Sequence, residues 1–203
     1  EMPVPVSSID IRQRARDAIS TYLDAELGNA LTLESFAPIE QQRDNFLEEF
    51  GPERIADTPI SEATIMGASV GAALVGTRPI VEMRFADFAL CAVDEMVNQA
   101  AKARFMFGGQ ARVPMVIRQP SGMWRSSAAQ HSQSLEAWYT HIPGLVVAAP
   151  YTPADNKGLL KSAIRCDDPV IYIEHKDNWT LEGEVPDDDD YLMPLGPARL
   201  ARE

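Results

Sequence analysis

From Arg54 onward the chain alternates short apolar runs with stretches in which apolar residues recur every third or fourth position. That alternation is the pattern of parallel strands joined by crossover helices. Strands are predicted at 54–59 (RIADTP), 78–85 (RPIVEMRF), 113–119 (VPMVIRQ), 145–150 (LVVAAP) and 169–175 (PVIYIEH), with helices at 62–76, 92–107, 133–140 and 153–165. Upstream, Ile11, Ala15, Ile19 and Leu23 lie near helical spacing within an amphipathic helix at 9–28, which Gly28 stops, and 44–50 (DNFLEEF) forms a short helix ended by Gly51 and Pro52. Local chemistry agrees with these bounds. Thr152-Pro153-Ala154-Asp155 supplies a hydroxyl at the N-cap, proline at the first helical position and an acid in the first turn, and Gly108-Gly109 is a helix stop. The fold class that follows is α/β, an open, doubly wound, mostly parallel sheet with helices on both faces.

Composition narrows the function. The 203 residues suffice for one substantial core, and 45% hydrophobic with 24% charged residues is an ordinary globular balance. A formal charge of -12 argues against nucleic acid as a partner, because phosphates need a basic surface, and against anionic membranes. No apolar run approaches the roughly 20 residues that span a bilayer, and EMPVPVSSIDIRQ has no basic segment followed by an apolar one. The expected location is the cytoplasm, or the mitochondrial matrix if the source is eukaryotic. Cys91 and Cys166 lack CxxC spacing, so neither a disulfide framework nor a zinc site is expected, and both are read as reduced core or loop residues. The run Asp187 to Asp190 reads as a solvated loop, since adjacent carboxylates repel one another.

In doubly wound sheets, ligands bind beyond the carboxyl ends of the strands, and that rule ranks the polar residues. Glu62 opens the helix SEATIMGASVGAALVG behind Ser61, a plausible N-cap, and is equally compatible with a first-turn acid that only serves the helix dipole. Within that helix Met66, Val70, Ala73 and Leu74 form one stripe, while Gly67, Ala68, Gly71 and Ala72 form a face with almost no side chain, suited to close approach of another backbone. EMRFADFAL brings Glu82, Phe85, Asp87 and Phe88 to the same edge, the aromatics serving either a core or a flat surface for a heteroaromatic ring. His131 follows a Gly, Ser and Pro-rich stretch at the end of VPMVIRQ; it fits a turn residue, a helix cap or a catalytic acid/base. GxGxxG, Walker A, GxSxG and HExxH motifs are all absent, and no segment looks able to cradle a diphosphate.

The segment FGPERIADTPISEATIMGASVGAALVGTRPIVEMRFADFALCAVDEMVNQAAKARFMFGG, followed by AAQHSQSLEAWYTHIPGLVVAAPYTPADNKGLLKSAIRCDDPVIYIEHK, resembles the beta subunits of thiamine-diphosphate-dependent 2-oxoacid dehydrogenases, including the pyruvate, branched-chain and acetoin enzymes. The resemblance implies a transketolase-like pyrimidine-binding α/β domain at 51–176, preceded by a poorly matched helical segment at 1–50 and followed at 177–203 by a tail or linker toward a C-terminal domain that relatives carry. Glu62, in DTPISE, matches the glutamate that hydrogen-bonds the aminopyrimidine ring of the cofactor, Phe88 matches the aromatic stacked on that ring, and Ile60 lies beside them. His131, in AQHSQ, matches a histidine that handles protons or positions the acyl acceptor. Met115, Ala163, Ile164, Cys166 and Asp168 fall where some members bind a structural potassium ion.

In the family, the diphosphate and its Mg²⁺ are held by an alpha subunit through a GDG-type motif that this chain lacks. The resemblance therefore implies half of a site, completed in an alpha2beta2 heterotetramer, which decarboxylates a 2-oxo acid or cleaves a ketol such as acetoin. The acyl unit would pass to an acceptor such as the lipoyl group of an acyltransferase. Two departures stand out. Where relatives carry a GEDVG-like motif and a glycine-rich loop, this chain has ALTLESFAPIEQQRDN, with Glu34 at the place of the motif's glutamate. The loop QPSGMWRSSAA is less glycine-rich than in relatives, and Trp124 and Arg125 narrow or recharge the expected substrate entrance. A non-catalytic assembly subunit and a biosynthetic split transketolase-like transferase are the competing readings; retention of Glu62, Phe88 and His131 together favours catalysis over a scaffold.

Overall fold

Four strands, β1 (Ile80–Glu82), β2 (Val116–Ser121), β3 (Val146–Ala148) and β4 (Val170–His175), form one all-parallel sheet in the order β1-β2-β4-β3. The computed structural model describes residues 46–124 and 126–198; the predicted helix at 9–28 and Glu34 lie outside them. Strands β2 and β4 are central, with Val116 registered on both Ile80 and Val170. Central parallel strands are covered on both faces, which is why β2 is buried along its whole length and β4 reads VIYI without polar alternation.

Side chains leave each strand on alternate sides, so the sheet builds two cores. Ile117, Ile171 and Ile173 face Met66, Val70 and Ala73 of α1 (Glu62–Leu74). They also face Ala89, Ala92, Met96, Ala100 and Ala103 of a helical run composed of α2 (Ala86–Ala89), a 3-10 turn (Leu90–Ala92), a π segment (Glu95–Ala100) and α3 (Ala101–Met106). Tyr139 of α4 (Glu136–Thr140) completes that core. Val116, Val170 and Tyr172 face the other way, onto Leu160, Ala163 and Ile164 of α5 (Pro153–Arg165).

The helix boundaries follow the local chemistry. Thr152 accepts from the Asp155 N–H at 3.1 Å and Asp155 accepts from the Thr152 N–H at 3.0 Å, a reciprocal capping box with proline at the first helical position. The helical run ends at Met106, with Gly108 and Gly109 at φ of 62° and 81°. The predicted strand at 54–59 is instead turn and irregular chain, because Pro52 and Pro59 lack a donor and the Arg54 and Ile55 N–H groups both turn back to the Gly51 carbonyl. The segment predicted as a helix at 133–140 is helical only over Glu136–Thr140.

The α5 face also carries a buried charge cluster. Arg118 lies opposite Glu82 on β1, and its neighbour on β4 is Tyr172, two residues before Glu174. The guanidinium of Arg118 forks onto Glu174 through Nε at 2.8 Å and Nη2 at 2.6 and 2.7 Å, and lies 3.0 Å from Glu82. Beyond β4 the chain returns across α5: Lys157 donates to the Pro186 carbonyl at 2.8 Å, Lys161 donates to the Asp189 carbonyl, and Val185 and Leu195 pack on the second core. The carboxylates of Asp187 to Asp190 stay exposed. Cys91 is exposed rather than in the core, and Cys166 is half-buried.

Candidate functional site

All four strands are parallel, so their carboxyl ends share one edge, and the loops leaving β1, β2 and β4 meet there. Beyond β1, Phe85 in extended conformation caps α2, which carries Asp87 and Phe88. Beyond β2, Gly122 turns at φ 91°, and a Cβ there would lie 2.5 Å from Nε2 of His175. Only glycine serves at this turn.

The next segment leads to His131 through backbone that ordinary residues avoid. Trp124, Ser126 and Ala128 have φ of 43°, 56° and 69°, and Ala128 pairs its φ with ψ of -179°, a region essentially reserved for glycine. Trp124 is steadied against Trp179 at 5.8 Å between ring centroids. A 3-10 turn (Ala129–His131) then presents the imidazole.

His131 completes an aromatic trio. Its ring meets Phe85 at 5.2 Å and 73°, and Phe88 at 5.0 Å and 89°, while the two phenyl rings stand 5.8 Å apart at 78°. These are edge-to-face contacts, in which the positive rim of one ring points at the negative face of the next. The ammonium of Lys176 lies 4.7 Å from the Phe85 centroid and donates to the His131 carbonyl at 2.7 Å. Burial lowers the pKa of Lys176, while the negative charges of Asp87 and Asp177 pull it back up. Asp87 in turn accepts from the backbone N–H and the side-chain amide of Gln133.

Glu62 is the first residue of α1, half-buried, and its carboxylate makes no hydrogen bond or ion pair among the described residues. Ser61 stands at the N-cap position, but its hydroxyl is turned to Thr64 at 2.9 Å and caps nothing. The dipole of α1 therefore faces an acid whose acceptor atoms are available to a ligand. Ile60 is 88% exposed beside it. Phe88 and His131 are thus in ring contact, whereas Glu62 and Ile60 come from a separate element.

The residues expected around potassium sit at the opposite, amino-terminal edge of the sheet, and their acceptors are engaged. The carbonyls of Ile164 and Cys166 accept from Arg78 Nη1 at 3.0 and 2.7 Å, and Arg78 is held by Asp167. Met115 accepts from the Val170 N–H, Ala163 from the Cys166 N–H, and Asp168 pairs with Arg104. The positive charge recorded at the carbonyls of Ile164 and Cys166 is the Arg78 guanidinium. Among the described residues no group of three or more His, Cys, Asp or Glu side chains is placed to hold a metal. Among the described residues, the unengaged Glu62 carboxylate and the ring pair of Phe88 and His131 are the kinds of group an aminopyrimidine ring would need, a hydrogen-bonding acid and an aromatic surface.

Lys176 and Gln133 escaped the sequence reading. Lys176 directly follows a strand end, which is the position where the sheet rule looks for ligand-site residues, but a lysine after a strand also reads as a solvated terminus.

The sequence matches the family described as transketolase, pyrimidine binding domain over residues 16–180. It is 44% identical over 97% of its length to the pyruvate dehydrogenase E1 component subunit beta of Rhizobium meliloti (strain 1021). It is 52% identical over 74% of its length to the acetoin:2,6-dichlorophenolindophenol oxidoreductase subunit beta of Cupriavidus necator. The chain spans 44% of the length of each of these relatives. Among solved structures, a split gene transketolase in an inactive beta4 tetramer shares the fold at a TM-score of 0.58 and 22% identity, over 89% of this chain and 56% of that one. The parallel sheet with helices on both faces and the match over 16–180 lead to one conclusion: the chain belongs to the transketolase pyrimidine-binding domain family.

Proposed function

We propose that this chain is a beta-type subunit that forms the pyrimidine side of a thiamine-diphosphate site and works only with an alpha partner that holds the diphosphate and Mg²⁺. The cofactor supplies the carbanion chemistry that decarboxylates a 2-oxo acid or cleaves a ketol such as acetoin. This chain's residues do the rest. Glu62 shares a proton with the ring nitrogen of the aminopyrimidine, Phe88 offers its ring for stacking, and His131 moves a proton as the acyl unit passes to an acceptor such as a lipoyl group. The observation that carries this reading is the unengaged Glu62 carboxylate at the head of α1, in a chain where Phe88 and His131 are already packed together. The exposed small-residue face of Gly67, Ala68 and Gly71 is the surface we assign to close packing with another subunit in an alpha2beta2 assembly. We place the assembly in the cytoplasm, or in the mitochondrial matrix if the source is eukaryotic; among the described residues no helix is long and apolar enough to cross a membrane.

The test combines the chain with an alpha subunit of the 2-oxoacid or acetoin dehydrogenase type, thiamine diphosphate and Mg²⁺. Glu62→Gln lowers turnover by about 10²-fold or more, the scale of a lost acid/base group. His131→Ala spares decarboxylation, followed by artificial electron acceptors, and slows transfer to a lipoyl acceptor. Unchanged turnover in Glu62→Gln, or no slowing of transfer in His131→Ala, would refute the assignment.

A further inference from the structure

The His131 imidazole makes no hydrogen bond among the described residues, so its direction is set by its backbone and by the two phenyl rings it meets. Three elements grip that backbone. From beyond β4, Lys176 donates to the His131 carbonyl at 2.7 Å. From α2, Asp87 Oδ1 accepts from the Gln133 backbone N–H at 3.2 Å and from its side-chain amide at 2.9 Å. From the end of β2, the Gly122 N–H donates to the Gln133 carbonyl at 3.1 Å. The grip falls just after the glycine-like backbone of Ala128, where a segment held less firmly would relax.

Two of these groups are buried charges, Asp87 at 6% and Lys176 at 2% exposure. Burying them costs desolvation that apolar side chains of similar size would avoid. Asp87 Oδ2, moreover, is buried with no hydrogen-bond partner, so this carboxylate forgoes acceptor capacity to hold one segment. Lys176 contributes twice, through the His131 carbonyl and through the face of Phe85, which itself packs against the His131 ring.

We infer that Asp87 and Lys176 are positioning residues that clamp the 131–133 backbone and thereby fix the direction of the His131 imidazole between Phe85 and Phe88. Its catalytic consequence rests on the reading of His131 as the proton-handling group of acyl transfer. The clamp itself is open to test without any cofactor.

The chain has three histidines, so the imidazole ¹H–¹³C resonances of His131 can be followed individually. Their positions report the ring currents of Phe85 and Phe88. Lys176→Met and Asp87→Ala displace the His131 resonances and leave those of His141 in place. Lys176→Arg and Asp87→Asn, which retain a donor and an acceptor, keep the His131 resonances near the parental positions. In the assembled enzyme, Lys176→Met and Asp87→Ala slow acyl transfer roughly 10- to 100-fold, the scale of a misplaced catalytic group, with the Kd for thiamine diphosphate unchanged. His131 resonances that stay put in both Lys176→Met and Asp87→Ala overturn the clamp. If neither variant folds, the unsubstituted chain decides: the Gln133 amide hydrogen must exchange more slowly than that of exposed Ser134, and equal rates overturn the inference. If the resonances move but no form of the complex turns over substrate, the clamp stands and the catalytic reading of the site falls.

Discussion

Phe88 and His131 meet edge to face, with centroids 5.0 Å apart and planes at 89°. One ring sits on α2, which follows β1, and the other on the 3-10 turn that follows β2, and the two meet because these adjacent parallel strands end at the same edge. Phe88 is half-buried there rather than sealed in the core. Phe88→Leu retains most of the apolar volume and removes the ring, so its stability cost stays below about 1.5 kcal/mol. Loss of stacking on a pyrimidine is worth on the order of 1–3 kcal/mol, which weakens thiamine-diphosphate binding by roughly 5- to 150-fold. Calorimetric titration of the assembled complex measures it. Parental affinity in Phe88→Leu removes stacking from the role of this residue.

The fork between Arg118 and Glu174 yields a prediction about folding rather than binding. Arg118 is 3% exposed and Glu174 1%. Glu174→Ala removes the carboxylate that the buried guanidinium forks onto, and breaking a buried pair in this way costs about 3–5 kcal/mol. Replacing both partners by apolar residues, as in Arg118→Met with Glu174→Leu, costs less because no fully buried charge remains, the carboxylate that loses Arg118 being that of the partly exposed Glu82. Urea denaturation of the single and double variants separates the cases, and equal losses would mean that the charge is not what matters.

Much of the scaffold was legible in the sequence because its determinants are local. Thr152-Pro153-Ala154-Asp155 announces a helix start through bonds that span three residues, and PVIYIEH announces a strand buried on both faces. The segment RIADTP misled because its apolar positions imitate a strand while its prolines and the Gly51 turn consume the donors a strand needs. Of the candidate site, Glu62, Phe88 and His131 stand out through the family resemblance, but the contact between Phe88 and His131 depends on strand order, which spacing does not encode. Arg78, distant in sequence, donates to the carbonyls of Ile164 and Cys166, a contact that spacing does not encode. Lys176 was invisible for a similar reason, since its partner is the His131 carbonyl.

Burial of Tyr139 and Tyr172 makes the fold sensitive to pH at the alkaline end. Burial pushes the Tyr139 hydroxyl up to about 12 from 10.0, with the neighbouring Gln119 pulling weakly the other way, and burial raises Tyr172 as well. An acid whose pKa is raised by folding stabilises the native state below its unfolded pKa, and that contribution is lost as pH climbs. For Tyr139 the window runs from 10.0 to about 12, and the shift of two units amounts to roughly 2–3 kcal/mol. Lys176 acts in the opposite sense: its pKa is lowered, so the penalty on its charged form is present at neutral pH and fades as pH rises toward 10.5. Urea midpoints measured from neutral pH upward therefore fall above about pH 10, and Tyr139→Phe makes that fall shallower. A midpoint flat to pH 12 contradicts the burial argument.

Two glycines without an obvious duty in the site separate local from assembly roles. A Cβ on Gly144, at φ 98°, would stand 2.0 Å from the Ala101 carbonyl oxygen, so Gly144→Ala must displace α3 and destabilises the chain outright. Gly71 is the contrary case: it lies inside α1, is exposed, and an added Cβ meets nothing within 4 Å. Alanine is a better helix former there by about 0.5–1 kcal/mol, so Gly71→Ala raises the thermal midpoint of the chain on its own. If the face of Gly67, Ala68 and Gly71 packs against another subunit, the same methyl holds the two backbones apart and weakens the complex. Thermal unfolding of the single chain and sedimentation of the assembled complex then move in opposite directions. A complex that tightens along with the chain would show that the small-residue face is not a packing surface.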